Sequence, residues 1–357
     1  MGRQRKAGGT LLAGDVGGTK TFMGLFRLAG EGLELLRSES YENKMFGDFE
    51  TVVAGFLGKS GPVSPASIEA ASFGIACPVV ENRGTLTNLH WVIDSFDLAG
   101  RFGIEKVGLI NDLVATAWGT GVLSEDDFHT LQAGVARPGN SALIAAGTGL
   151  GEATIFRDGQ YCVPSASEGG HADFAPRTTV EIELLEYLIG LWDHASYERA
   201  LSGPGLVNIY NFLKSRRGGS EPERLSGRMR EEGGAQVISE EALSGGDKNC
   251  VDALDLFISI YGAEAGNLAL RSMATGGVYV GGGIAPKVLP ALDRGSFIKS
   301  FRQKGRFEGL LSEIPVKVIL NEKTALFGAA VYASRLTRSG LETAVKSIHG
   351  PGVRASA

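Results

Sequence analysis

Short apolar runs punctuated by glycine turns open the chain. Thr10–Gly14 (TLLAG) reads as one strand and Thr21–Leu28 (TFMGLFRL) as a second. A third follows the Gly30-Glu31-Gly32 turn in LELLRSESY, Leu33–Tyr41. Three runs rich in β-branched and aromatic residues, joined by tight turns, predict an antiparallel meander. The period then changes. GDFETVVAGFLG, Gly47–Gly58, has the spacing of a short amphipathic helix, and ASFGIACPV, Ala71–Val79, that of a strand. DSFDLAGRFG predicts a helix capped by Asp94 or Ser95, and KVGLI a strand ending at Asn111-Asp112. Strands alternating with helices predict an α/β fold.

A second strand, glycine turn and strand occupy SALIAAGTGLGEATIF, Ser141–Phe156, echoing the first hairpin and suggesting two related halves. Helical spacing resumes at Thr179–Trp192 and Pro204–Lys214, whereas the polar Ser215–Gly234 stretch reads as an exposed loop. Val251–Met273 is apolar over more than one stripe, so a buried helix is expected. Thr275–Leu289 (TGGVYVGGGIAPKVL) is a strand set between glycines, and the chain closes on a strand, PVKVIL, a helix, Lys323–Leu336, and a polar tail.

Composition narrows the class. A chain of 357 residues exceeds the size at which one hydrophobic core keeps growing, so two domains with a cleft are expected. The 52 glycines are about twice the usual share of roughly 7%, implying many tight turns and close backbone approaches. A net charge of −5 offers no general attraction for nucleic acid or an anionic membrane. The basic MGRQRK start lacks a signal-peptide apolar core and reads as a frayed tail. Cys77, Cys162 and Cys250 are far apart with no C-x-x-C spacing, which predicts neither a disulfide framework nor a zinc site. Together these point to a cytoplasmic protein with no nucleic-acid or membrane partner.

The candidate chemistry starts in LLAGDVGGTKT, Leu11–Thr21, one residue away from the P-loop pattern: Gly14, Lys20 and Thr21 are in register, but Thr19 stands where the second glycine belongs. A P-loop runs from a strand into a helix, and residues 21–28 read as a strand, so a hairpin is the better reading. In a hairpin, Gly17 and Gly18 are expected at positive φ, turning backbone amides toward an anion. Asp15 would repel phosphate unless a divalent cation stood between them, which brings in Mg²⁺ held through water. Thr19 adds a hydroxyl donor and Lys20 a point charge. Ala145–Gly151 (AAGTGLG) repeats this glycine-threonine chemistry with Thr148.

GDVGGTKT, GTGLG and GGVYVGGG, in this order, resemble the two phosphate segments and the adenosine segment of the sugar kinase, Hsp70 and actin superfamily. INDLVATAWG, SEGGHADFAPR, ERALSGPGLVNIYNFL and ALFGAA further resemble the bacterial-type glucokinases, over about residues 10 to 340. The related ROK kinases carry a Cys-rich zinc motif after an E-x-G-H segment, and here no cysteine lies between Cys162 and Cys250.

The resemblance implies a two-domain actin-like ATPase (ribonuclease H-like) α/β fold. Residues 10–112 plus about 321–345 would form a small domain and 113–320 a large one, with tails at 1–9 and 346–357. It implies an ATP-dependent glucokinase of glycolysis, acting on the 6-hydroxyl of D-glucose with MgATP. A kinase of another hexose, or a non-catalytic sugar sensor, is the alternative. On the residues alone Asp112 reads most simply as an N-cap; the INDxxA match implies that it is the catalytic base. Asn88, Asn111, Asp112, Glu168, His171 and Glu198 would contact the sugar. Gly14, Asp15, Gly17, Gly18, Thr19, Lys20, Gly147, Thr148, Gly149 and the Gly281-Gly282-Gly283 run would hold ATP, with Asp15 reaching the metal through water. Some glucokinases carry Asn where this chain has Lys20, so Lys20 is assigned no catalytic part. A homodimer is left open.

Overall fold

The structure, a computed structural model, describes residues 9–29, 32–59, 67–86, 88–218 and 222–337. The expected turn at Gly30-Glu31 and the ends of both expected tails lie outside these residues. The chain divides into two compact units. The first takes in residues up to Asp127, Ile155–Ala166 and those from Asn321 on; the second takes in Phe128–Thr154 and Ser167–Leu320.

The first unit holds strands β1 (Thr10–Val16), β2 (Lys20–Ala29), β3 (Gly32–Glu42), β4 (Ile68–Ile75), β5 (Arg83–Leu86), β6 (Trp91–Asp94) and β7 (Val107–Asn111). Five of them form a sheet in the order β3-β2-β1-β4-β7, while β5 and β6 pair separately. The predicted meander is present: β2 is antiparallel to both β1 and β3. β4 is parallel to β1 and β7 parallel to β4. The near-continuous apolar run of β1 follows from burial on both faces. Leu12 packs with Phe49, Phe73 and Trp91 on one side. Leu11 and Ala13 pack with Phe26, Trp118 and Leu326 on the other. The predicted helices appear as Phe49–Gly58, capped by Asp48 on the Thr51 amide at 2.7 Å, and Ser95–Phe102, capped by Asp94.

The helix Asp112–Thr120 leaves the end of β7 and lies against the helix Thr324–Leu336. Glycine makes that approach feasible at two points. A Cβ on Gly119 would overlap the Thr324 backbone, and one on Gly328 would stand 2.6 Å from the Gly119 amide.

The second sheet comprises β8 (Phe128–Gln132), β9 (Ser141–Ala146), β10 (Leu150–Asp158), β11 (Tyr161–Ser167), β12 (Gly277–Gly281) and β13 (Val316–Ile319), in the order β11-β10-β9-β12-β13-β8. Five of its strands repeat the order of the first sheet, with β12 parallel to β9 and β13 parallel to β12. The buried long helix is Lys248–Ser272. Phe257, Ile258 and Tyr261 anchor it in a core shared with Ile144, Val280 and Phe297.

The exposed loop expected over Ser215–Gly234 is corrected. Helix Gly203–Arg217 runs into that stretch, and Glu223–Glu232 forms a further helix, ended by Gly233 at φ 100° and followed by Gly234–Ser244. Only Leu225 of Glu223–Glu232 is buried, so the apolar periodicity is faint. Ion pairs replace it: Arg228 reaches Glu232 and Glu241, each at 2.8 Å, and Arg224 reaches Glu241 at 2.9 Å.

Candidate active site

The first hairpin turn, Gly17–Thr19, joins β1 to β2 and is closed by a bond from the Gly17 amide to the Lys20 carbonyl, 3.0 Å. Neither glycine takes positive φ, contrary to expectation. The backbone of this turn needs no left-handed residue; what the glycines contribute is the absence of side chains on an open face. A buried residue outside the motif holds the turn. Asn43 accepts from the Thr21 hydroxyl at 2.7 Å, donates to the Gly17 carbonyl at 2.8 Å, and gives its own amide to the Thr19 carbonyl at 2.9 Å. The Thr19 side is exposed, and Lys20 pairs across the sheet with Glu42 at 3.4 Å. Gly14 sits inside β1, where Phe73 and Met23 fill the space a side chain would take. Asn88 is exposed and lies beside the turn, its amide nitrogen 3.9 Å from where a Cβ on Gly18 would stand.

Asp112 is the first residue of its helix, and the capping is done by Asn111. The Asn111 Oδ1 accepts from the amides of Leu113 at 2.9 Å and Val114 at 3.4 Å, while its Nδ2 donates to the Cys77 carbonyl at 3.5 Å. Asp112 also accepts from the Leu113 amide at 2.9 Å, which places its carboxylate at the positive end of the helix dipole. Asp15 lies two strands away, in register with Gly74 of β4, which in turn pairs with Ile110 of β7. Gly74 is the spacer. A Cβ there would stand 2.7 Å from the Ala115 Cβ and 3.7 Å from the Asp112 Cα, so only glycine lets the helix start settle onto the sheet. Burial first, and the Asp112 charge second, push the Asp15 carboxyl up to about 7.

In the second unit the turn Gly147–Gly149 joins β9 to β10. The Gly147 amide bonds to the Gly149 carbonyl at 2.8 Å, and the Gly203 amide donates to the Gly147 carbonyl at 2.8 Å. Glu198 accepts the Leu150 amide at 2.9 Å, and a Cβ on Gly149 would run into that carboxylate. Thr148 points its residue to solvent from the middle of the turn. Gly281 ends β12 at the register position of Ala145. Gly282 has φ 81°, and a Cβ on it would strike the Ala146 backbone. Gly283 has open space around it. Tyr261 ties these ends together: its hydroxyl receives the Ala146 amide at 3.2 Å and faces the carbonyls of Ile144 and Gly281, each at 3.4 Å. Glu168 and His171 flank the short turn Gly169–His171; both are exposed, with Nε2 and Oε2 3.9 Å apart.

Thus Asp15 and Asp112 come together in the first unit, as do Asn88 and the turn at Gly18. In the second unit, Glu198 joins the Gly147–Gly149 turn, the Gly281–Gly283 run lies at the end of β9, and Glu168 stands beside His171. Asn43, Gly74 and Tyr261 were not singled out from the sequence. Gly74 alone had a local signal, an isolated glycine within the apolar run ASFGIAC.

The glucokinase family profile matches residues 12–336. A glucokinase of Nostoc sp. is 43% identical over 341 residues, covering 91% of this chain and 99% of the relative. Among solved structures, a glucokinase from an Antarctic psychrotroph superposes with a TM-score of 0.79 at 27% identity, over 91% of this chain and 98% of that one. A ROK family glucokinase from Streptomyces griseus, in complex with glucose and AMPPNP, has a TM-score of 0.60 at 25% identity, over 92% and 100%. These neighbours carry the two-domain actin-like fold, as this chain does, and no described helix is long and apolar enough to cross a membrane. From its hairpins to its last described helix, the chain belongs to the glucokinase family.

Proposed function

We propose that this protein is an ATP-dependent glucokinase that transfers the γ-phosphoryl group of ATP to the 6-hydroxyl of D-glucose, giving glucose 6-phosphate and ADP. The observation that carries this reading is the Asp112 carboxylate: Asn111 caps the helix in its stead, and Gly74 clears the ground on which it sits. Near-full-length similarity to glucokinases supports the substrate and the donor.

Phosphoryl transfer through a loose transition state needs positioning, charge neutralisation and one acceptor for the hydroxyl proton. Asp112 takes that proton from the glucose 6-hydroxyl as its oxygen attacks the γ-phosphorus. Thr19 and Thr148, each on the open face of a hairpin turn, donate to phosphate oxygens alongside the turn amides. The Gly281–Gly283 run accepts the adenosine. Glu168, His171, Glu198, Asn88 and Asn111 hold the sugar hydroxyls, and polar groups left unpaired disfavour the wrong epimer.

The first unit also suits a divalent cation. Asp15 is a half-buried carboxylate close to a second carboxylate, an arrangement that a nearby positive charge relieves. Asp15 would hold Mg²⁺ through water. When bound, the ion neutralises charge on the β- and γ-phosphates. A cytoplasmic location is in keeping with the glycolytic substrate.

A coupled ADP-release assay across a panel of hexoses and phosphoryl donors tests the assignment. Glucose with ATP is expected to give the largest kcat/KM. A larger value for another sugar or donor, or ADP release independent of sugar, overturns it.

A further inference from the structure

Beneath the turn Gly169–His171 lies a carboxyl pair that the mechanism does not use. Glu152, in β10, is 1% exposed, and Glu264, in the helix Lys248–Ser272, is 0% exposed. Arg271, on the same helix, bonds to both; it reaches Glu152 Oε2 at 3.2 Å. Among the described residues, Glu152 Oε1 has no hydrogen-bond partner, while Arg271 binds both carboxyls and so holds Glu152 and Glu264 near each other. One proton on the pair would satisfy that oxygen and remove the repulsion between the two carboxylates.

The pair touches the turn directly. A Cβ on Gly169 would overlap the Glu152 carboxylate, and one on Gly170 would overlap the Leu150 carbonyl. The two adjacent glycines therefore let the turn lie flat on β10. Ser167 fastens its near edge, donating to the Glu152 carbonyl at 3.2 Å and accepting the Gly169 amide at 3.3 Å. Two residues before Glu152, Leu150 gives its amide to Glu198.

We propose that Glu152 is a positioning residue of the sugar site: through a shared proton with Glu264 and an ion pair with Arg271, it seats the turn carrying Glu168 and His171 and so sets the affinity for glucose. This rests on the reading of Glu168 and His171 as sugar ligands. The titratable groups facing the pair are Arg271, Lys304, Tyr197 and Tyr261. Lys304 donates to Asn267 Oδ1 at 2.6 Å, and Asn267 donates to Glu264 at 2.8 Å and to the Tyr197 hydroxyl at 3.0 Å. Burial first, and the Glu264 charge second, push the Glu152 carboxyl up to about 8, against the pull of Arg271. Above that pH the shared proton leaves, two carboxylates face each other, and the turn lifts from β10.

The test is steady-state kinetics from pH 6 to 9.5 on the full-length enzyme, with KM for glucose, KM for MgATP and kcat measured separately. Wild type should show a glucose KM that climbs above about pH 8 while KM for MgATP changes less. Glu152→Gln keeps the shape and supplies an N–H in place of the proton; it should match wild type at pH 7 and lose the alkaline climb. Glu152→Ala should raise glucose KM about tenfold at pH 7, with kcat and the MgATP KM within about threefold. An alkaline climb that persists in Glu152→Gln overturns the proposal, and this comparison decides even if Glu152→Ala does not fold. Equal change in all three parameters for Glu152→Ala also overturns it. His171→Ala separates the two levels. If it leaves glucose KM unchanged, the sugar reading of the turn falls and this proposal with it. If it raises glucose KM while Glu152→Ala does not, only the role of Glu152 falls.

Discussion

At the same register position, Asp15 faces Gly74 in the first sheet and Ala145 faces Gly281 in the second. The strand order around them is alike, but the acid is not. In the first unit Asp15 and Asp112 meet at the open end of the strands, with burial and mutual charge both raising Asp15. In the second unit the carboxyl pair is Glu152 and Glu264, set below the turns and bridged by Arg271. One pair is bridged by a cationic side chain of the protein; the other is the pair proposed to gain from a cation. The turns differ in the same sense. A neutral buried amide, Asn43, holds the first, while a carboxylate, Glu198, and a tyrosine, Tyr261, hold the second. A duplicated framework thus carries two differently placed carboxyl pairs, one beside the proposed proton acceptor and one beneath the turn proposed to bear sugar ligands.

The sharpest way to break this comparison is Asp112→Asn. It should lower kcat by about 10²- to 10⁴-fold while leaving glucose affinity, measured by calorimetry, within a few-fold of wild type. Near-normal turnover would show that the two halves do not differ in chemistry.

The matched glycines come next. Gly74→Ala sets a methyl 2.7 Å from the Ala115 Cβ, whereas Gly281→Ala meets nothing closer than 3.4 Å. The first should cost about 1–3 kcal/mol in urea unfolding and depress kcat as the helix start shifts. The second should be nearly neutral, and equal costs would remove the special status of Gly74.

Two turn-level variants follow. Asn43→Ala leaves the Gly17 carbonyl and the Thr21 hydroxyl without their partner and should cost about 1–3 kcal/mol, with KM for MgATP raised. Glu152→Gln bears on stability differently. The folded-state pKa of Glu152 lies above the ordinary carboxyl value, so the native state binds the extra proton, and wild-type stability falls as pH rises from 4.5 toward about 8. The Tm of Glu152→Gln relative to wild type should therefore climb across that window in differential scanning calorimetry. A difference that stays flat would mean the pair does not share a proton.

The smallest effect belongs to Lys20→Ala. Lys20 and Glu42 are both more than half exposed, so the pair should contribute under about 0.5 kcal/mol, and KM for MgATP should move by less than about threefold. A loss of kcat comparable to Asp112→Asn would restore Lys20 as a catalytic group.

The strands legible from sequence were those buried on both faces, such as β1 and β9, because uninterrupted apolar runs leave little choice. Short or half-exposed strands, β5, β6, β8 and β11, escaped notice, as did a helix stabilised by surface arginines and glutamates. In the site, the residues proposed to offer their own atoms to a ligand were visible as motifs: Asp15, Thr19, Asp112, Thr148. Residues that act through others were not. Asn43 lies 26 positions from the carbonyl it holds, and Tyr261 lies 115 from the amide it receives, so no local pattern announces either. Positive φ at Gly17 and Gly18 was inferred from residue type, and type reveals tolerance rather than conformation.

The interlocked glycines of the helices Asp112–Thr120 and Thr324–Leu336 have a consequence for biosynthesis. The helix bearing Asp112 has as its packing partner a segment that the ribosome makes more than two hundred residues later. At ordinary elongation rates, roughly 10 to 45 s separate the two. Through that interval the nascent chain can build its meander and hairpin turns, but not the seat of the proposed proton acceptor. A fragment released early is therefore expected to be unable to phosphorylate sugar, and activity arrives with the last turns of the polypeptide.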